Sequence, residues 1–112
     1  MSKSTREVGK SLENYVLETL KQFDRTLHRV KNSGANNEKG DISGSYWKIE
    51  CKKRNTEDIT LKKKVWDKLC SEIRVGTNQI PLYVLENSSK DRFVVMSLLD
   101  FKMEMEKAYG SS

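Results

Sequence analysis

Residues 40–54, GDISGSYWKIECKKR, decide how the fold of this chain is predicted. Glycine and serine at 44–45 separate a short segment from a longer one, which predicts a hairpin with strands at 41–43 and 46–53. In the second strand the apolar residues at 47, 49 and 51 alternate with Lys48, Glu50 and Lys52. Successive side chains on a strand point to opposite faces, so the apolar row must face the core. The charged row is then either an ordinary solvated face or part of a functional site.

The composition is that of one globular domain spanning residues 1–112. Charged residues make up 33% of the chain and apolar residues 36%, which leaves room for one core. The opening residues MSKSTREVGK have no apolar run behind them, and no window approaches the ~18 apolar residues of a membrane helix. We therefore expect no signal peptide and no membrane segment. Cys51 and Cys70 lack a CxxC or Cys/His pattern, so neither a disulfide nor zinc is expected, and the predicted compartment is the reducing cytoplasm.

Hydrophobic periodicity predicts the remaining elements. Helical spacing marks residues 5–23, with Ser4 and Glu7 placed as a capping box, and residues 57–75. Residues 25–31, 80–86 and 92–97 are predicted strands, and Ser97 with Asp100 can cap a last helix through Tyr109. The predicted order is α-β-β-β-α-β-β-α, an α/β fold with a mixed sheet flanked by helices.

Charged side chains converge on the hairpin. Residues two apart on a strand share a face and lie roughly 6.6 Å apart along it, so Glu50 and Lys52 are neighbours. Asp41 can reach the same space from the first strand of the hairpin, and Glu13, on the flank of the first apolar stripe, can approach from the helix. Like charges at short range repel, and Mg²⁺, which prefers carboxylate oxygens, would resolve that repulsion. A lysine beside such a metal can orient or deprotonate water, or offset the charge of a phosphodiester transition state.

This pattern resembles the PD-(D/E)XK nucleases. The resemblance lies in Gly40-Asp41, the eight-residue gap, and Glu50-Cys51-Lys52, with Gly40 where the family usually has proline. Within that family, the sequence is most similar to the archaeal-type Holliday junction resolvases, including phage enzymes. These carry a glutamate in the first helix, here Glu13 in KSLENYVLETL. They also carry an arginine and a serine-glycine before the aspartate, here Arg29 and Ser33-Gly34 in HRVKNSGANN. The resemblance covers roughly residues 4–100 and implies a restriction-endonuclease-like sheet.

The resemblance also implies roles for these residues. Asp41 and Glu50 would be the main Mg²⁺ ligands, Mn²⁺ being able to substitute. The Cys51 carbonyl would assist them, and Glu13 would act directly or through water. Lys52 would be the catalytic lysine, Ser33 would contact the phosphate or the catalytic cluster, and Arg29 would bind the DNA backbone near the scissile bond. The implied protein is a homodimeric endonuclease that cuts four-way DNA junctions with paired nicks.

The basic residues point to a polyanion. Lysine and arginine number 21 against 16 acids, a net charge of +5. The residues predicted to contact DNA, besides Arg29, form a basic arm at about residues 1–10 and a second group near the hairpin: Lys3, Arg6, Lys10, Lys53, Arg54, Lys62, Lys63 and Lys64. A solubilising lysine face is the alternative interpretation of these residues.

Two further functions remain open. One is another nuclease of the same fold, of the restriction or repair type. The other is a non-catalytic nucleic-acid-binding module. The acidic residues argue against the second, because a pure binder gains nothing from carboxylates that face a polyanion.

Overall fold

The computed structural model describes the backbone of residues 5–30, 40–73 and 76–110, and the side chains of residues 12–30, 42–73 and 76–110. The predicted capping residue Ser4 lies outside these ranges. Within them, none of the helices is long and apolar enough to cross a membrane.

Three helices and one five-stranded sheet make up the described chain. In chain order they are α1 Thr5–Leu20, β1 His28–Arg29, β2 Gly40–Ser43, β3 Trp47–Lys53, α2 Lys63–Ser71, β4 Ile80–Glu86, β5 Arg92–Val95 and α3 Leu98–Tyr109. The strands lie in the order β1-β2-β3-β4-β5, with β3 and β4 parallel and the other neighbours antiparallel. The prediction of an α/β fold with a mixed sheet is confirmed.

The two faces of the sheet carry separate apolar cores. On one face Ile49 and Cys51 of β3 pack with Leu12 and Val16 of α1. On the other face a smaller core joins the β4 residues Tyr83 and Leu85 to α2. All seven residues of β4 are buried, as expected for a central strand covered on both faces. Because side chains alternate along β3, Glu50 and Lys52 lie on the face of the smaller core.

The second helix is shorter than the sequence predicts. It runs over Lys63–Ser71 rather than 57–75, so residues 57–62 lie before it. Thr56 and Glu57 bind the turn after β4 instead: Ser88 N donates to Thr56 O at 3.0 Å, and Asn87 Nδ2 donates to Glu57 O at 3.1 Å. These long-range hydrogen bonds use the carbonyl groups of Thr56 and Glu57, which would accept hydrogen bonds from the following turn if this segment were helical. The first helix likewise ends at Leu20 rather than residue 23.

The turn between β2 and β3 is held by a buried aspartate. Asp24 is 6% exposed and accepts hydrogen bonds from Thr26 N and from Tyr46 N, both at 3.0 Å. Burial by itself raises the pKa of the Asp24 carboxyl, but the hydrogen bonds from Thr26 and Tyr46 outweigh it and hold the pKa below its ordinary value. The charged carboxylate therefore fixes the place of the turn.

A second polar side chain holds the same turn through its other backbone groups. Gln79, which directly precedes β4 and is buried, donates from Nε2 to Gly44 O at 2.7 Å and to Ser43 Oγ at 3.0 Å. The backbone bond from Ile80 N to Tyr46 O, at 2.9 Å, ties the turn to the start of β4. The β2–β3 turn is thus bonded from both sides.

We expect Gly44→Ala to destabilise the fold. A Cβ at residue 44 would lie 2.6 Å from Asp24 Oδ2 and 2.8 Å from Thr26 Oγ1, so the aspartate would have to move away from the turn that it holds. The free energy of unfolding should fall by about 1–3 kcal/mol in chemical denaturation. The exposed neighbour provides the control: Ser45→Ala removes only the bond that Thr26 Oγ1 donates to Ser45 Oγ at 3.2 Å and should cost no more than about 0.5 kcal/mol. Equal stability of the wild-type and Gly44→Ala proteins would contradict this account of the turn.

Candidate acidic site on the third strand

The hairpin register sets Asp41 directly opposite Glu50. Directly opposed residues of an antiparallel pair occupy the same face of a sheet, and Lys52 is two residues further along that face. The side chain of Asp41 lies outside the described side chains. The backbone therefore places these three positions of the predicted motif together, on the neighbouring strands β2 and β3 in the interior of the sheet.

Glu50 is a buried carboxylate in a cationic row. It is 7% exposed, its neighbour Lys48 on the same face is 8% exposed, and Lys52 is half-buried. Arg54 extends this row at the end of β3. Burying a charge is costly unless other charges or hydrogen bonds compensate for it, so a carboxylate flanked by cations is a reasonable local arrangement.

Tyr83 is a neighbour of this site that sequence reasoning missed. It pairs with Glu50 across the parallel β3–β4 ladder and is fully buried. Its hydroxyl accepts a hydrogen bond from Arg54 Nη2 at 3.3 Å. Burial raises the pKa of the Tyr83 hydroxyl, the charge of Glu50 adds to that effect, and Arg54 opposes it. The hydroxyl therefore stays protonated at neutral pH. The sequence signal was the hydroxyl of a tyrosine within the apolar residues 80–85, which does not by itself show that the residue lies beside Glu50.

Glu13 and Arg29 are brought together, but on the other face of the sheet. Glu13 Oε1 lies 3.1 Å from Arg29 Nε, and Arg29 Nη2 also donates to Asn14. Arg29 pairs in register with Ile42, which belongs to the core that α1 covers. Glu50 lies on the opposite face, so Glu13 can join it only around an edge or end of the sheet.

The described side chains contain no group of three or more His, Cys, Asp or Glu residues that could hold a metal ion. The predicted ligand set includes Asp41, whose side chain is outside that description. Ser33 and Lys3 also lie outside the described residues, and Arg6 and Lys10 are described as backbone positions of α1.

The predicted DNA-binding lysines fall into different environments. Lys53 forms an ion pair with Glu86 at 2.9 Å, and Lys63 forms one with Asp67 at 2.6 Å. Lys62 precedes α2 and is exposed, as is Lys64. Among the described side chains, Lys62 and Lys64 form no ion pair, in contrast to Lys53 and Lys63.

Glu86 explains the position of Lys53. The Glu86 carboxylate is 4% exposed and also pairs with Arg92 Nε at 2.9 Å. Burial by itself raises the pKa of the Glu86 carboxyl, but the hydrogen bonds and charges of Lys53 and Arg92 outweigh it and lower the pKa. The Lys53 ammonium thus has a structural role at the end of the β3–β4 ladder.

Several other candidates have structural roles. Trp47 is half-buried against the larger core and Trp66 against the smaller one. Cys51 is a buried core residue, and burial raises the pKa of the Cys70 thiol. His28 is exposed, with Nδ1 2.8 Å from Thr26 O.

Comparison with protein-family models, with curated proteins and with solved structures finds no match for this chain.

We expect Lys53→Ala to reduce stability, because Glu86 would keep Arg92 as its one charged partner. The loss should be about 1–3 kcal/mol at pH 7 in chemical denaturation. Since the pKa of Glu86 is lowered in the folded protein, the ion pair stabilises fully above the ordinary value of 4.5 and this contribution is lost as the pH falls further. The difference between wild type and variant should therefore shrink below about pH 4.5. The exposed Lys64→Ala serves as control and should lie within about 0.5 kcal/mol of wild type.

Proposed function

We propose that this protein is a Mg²⁺-dependent, structure-selective DNA endonuclease that resolves four-way junctions, built on a restriction-endonuclease-like sheet. The observation that carries the proposal is the β2–β3 register, which opposes Asp41 to Glu50 with Lys52 two residues further along the same face. These three residues are also part of the pattern that resembles the PD-(D/E)XK nucleases, together with Glu13, Arg29 and Ser33-Gly34.

The donor set fits a hard divalent cation. Asp41 and Glu50 offer carboxylate oxygens and Cys51 offers a backbone carbonyl, the ligands that Mg²⁺ prefers. When bound there, Mg²⁺ would supply Lewis-acid stabilisation of charge on the phosphodiester. A buried, cation-flanked Glu50 is consistent with this use, because a carboxylate held in one place needs little reorganisation to bind.

The chain's own residues account for the rest of the chemistry. Lys52, half-buried beside Glu50, would orient the attacking water and offset the charge that develops on the phosphate. Arg54, held by the Tyr83 hydroxyl at the end of the same row, would bind a neighbouring phosphate. Lys62 and Lys64, exposed before and at the start of α2, would bind the backbone of a DNA arm.

The acids and the lysine should separate binding from cutting. Asp41→Asn and Glu50→Gln should abolish Mg²⁺-dependent cleavage of a labelled four-way junction, while junction affinity is retained or increased because a negative charge near phosphate is removed. Lys52→Ala should block turnover without loss of metal binding. The measurements are cleavage on denaturing gels and binding by anisotropy in Ca²⁺.

Wild-type protein should nick opposing strands of the junction to give products that a ligase can seal, and should leave a linear duplex of the same sequence largely intact. Equal cutting of both substrates would favour the alternative nuclease of the restriction or repair type. Binding without any cutting in Mg²⁺ or Mn²⁺ would favour the non-catalytic module.

The exposed lysines should contribute to the salt dependence of binding. Each phosphate contact contributes about −0.9 to the slope of log affinity against log salt on duplex arms. Lys62→Gln with Lys64→Gln should make that slope shallower by up to about 1.8 and leave the Mg²⁺ requirement for cleavage unchanged. Lys63→Gln, whose ammonium is paired with Asp67, should change the slope less. An unchanged slope in the double variant would assign these lysines to solubility.

A further inference from the structure

The last helix presents its apolar side to solvent. None of its residues is buried, and it carries five of the exposed large hydrophobic residues: Leu98, Leu99, Phe101, Met103 and Tyr109. Leu98 and Tyr109 are 81% and 82% exposed. At about 100° per residue, Leu98, Phe101 and Tyr109 share one side of the helix, whereas Leu99 and Met103 lie on its flank. An apolar side of this length ordinarily faces a core, so its exposure calls for a partner.

Polar contacts of α3 fix this orientation. Tyr46 OH donates to Glu104 Oε2 at 2.6 Å, and Lys107 Nζ donates to Tyr46 OH at 2.8 Å. At about 100° per residue, Lys107 points about 180° away from Leu98. The polar side of α3 therefore faces the body of the protein, and the apolar side faces directly away from it.

The solvent-facing side of α3 forms a groove that we call the α3 groove. It is lined by Gly110 and by six larger residues: Leu98, Phe101, Lys102, Met105, Glu106 and Tyr109. Reversing the helix about the point between residues 103 and 104 exchanges 98 with 109, 101 with 106, and 102 with 105. The six positions map onto themselves, so a second, antiparallel copy presents the same surface. A two-fold interface requires this self-complementarity.

The charges in the α3 groove are complementary in the same arrangement. Lys102 Nζ lies 3.7 Å from Glu106 Oε2 of the same helix, and both side chains are largely exposed. Lys102 and Glu106 are four residues apart and share one edge of the α3 groove. An antiparallel two-fold pairing sets this edge against the same edge of the other chain. Each Lys102 therefore meets a Glu106 of the other chain, and the pairing occurs twice because of the symmetry.

We propose that the α3 groove binds the α3 groove of a second copy of this chain, as an antiparallel helix pair about a two-fold axis. This deepens the proposed function, since two nicks in a junction need two acidic sites, but the surface is argued from α3 alone. A 12-residue helix is about 18 Å long, so the contact is at the small end of specific interfaces and the dimer should dissociate in the micromolar range.

A matched pair of substitutions tests the surface by sedimentation across protein concentrations from about 1 to 300 μM. Phe101 and Met103 are 46% and 45% exposed, but Phe101 lines the α3 groove and Met103 does not. Phe101→Asp should weaken self-association at least ten-fold, and Met103→Asp should leave it within about two-fold of wild type. Circular dichroism verifies that both variants keep their helix content. A monomeric wild type, or equal effects of both substitutions, overturns the proposal.

A charge exchange tests the pairing between chains. Lys102→Glu and Glu106→Lys, each alone, should weaken association several-fold, since each brings like charges together across the axis. The two single variants mixed in equal amounts should associate again, because every cross-chain contact in the mixed dimer joins opposite charges. Failure of the mixture to associate more tightly than either variant alone overturns the antiparallel arrangement. Both tests measure association and do not depend on cleavage. A protein that dimerises through α3 but cuts no DNA would therefore overturn the proposed function and leave this inference standing.

Discussion

The pairing of β2 with β3 is the constraint on which the rest of the structure depends. A strand has a side-chain period of two, so a slip of one residue would exchange the faces of every β2 side chain relative to β3. Asp24 and Gln79 prevent that slip by binding the β2–β3 turn from opposite sides, and Gly44 leaves the room in which Asp24 fits. The same contacts thus set the larger core and the opposition of Asp41 to Glu50.

Strand β3 serves the core and the candidate site with alternate residues. Ile49 needs the apolar cover of α1, and Glu50 needs charges and hydrogen bonds on the other face. The smaller core around Tyr83 excludes water from that face, which strengthens electrostatic interactions with Glu50 and makes a missing partner more costly. At the end of β3 Arg54 is half-buried and donates to the Tyr83 hydroxyl, so the row of charges ends on the smaller core.

Local patterns predicted the elements whose contacts are local. The alternation in β3, the apolar run of β4 and the cap of α3, where Ser97 Oγ accepts from Asp100 N, could all be predicted from the sequence. The start of α2 could not, because Glu57 and its neighbours bind the turn after β4, about 30 residues away, and such contacts have no local signature. The motif at 41, 50 and 52 could be predicted because its residues lie close together in the sequence. The position of Tyr83 beside Glu50 and the ion pair of Lys53 with Glu86 could not, because both join residues that are about 30 apart.

The orientation of α3 shows where periodicity stops being informative. Its apolar stripe is evident from the spacing of Leu98, Phe101 and Met105, and the ordinary expectation is that such a stripe packs inward. In the structure Tyr46, on the β2–β3 turn, binds the polar side of the helix and reverses that expectation. The turn that fixes the register of the site therefore also fixes the direction in which α3 presents its apolar side. A second chain bound there would sit in a defined position relative to the acidic residues, because the same hydrogen-bonded turn contacts α3 and joins β2 to β3.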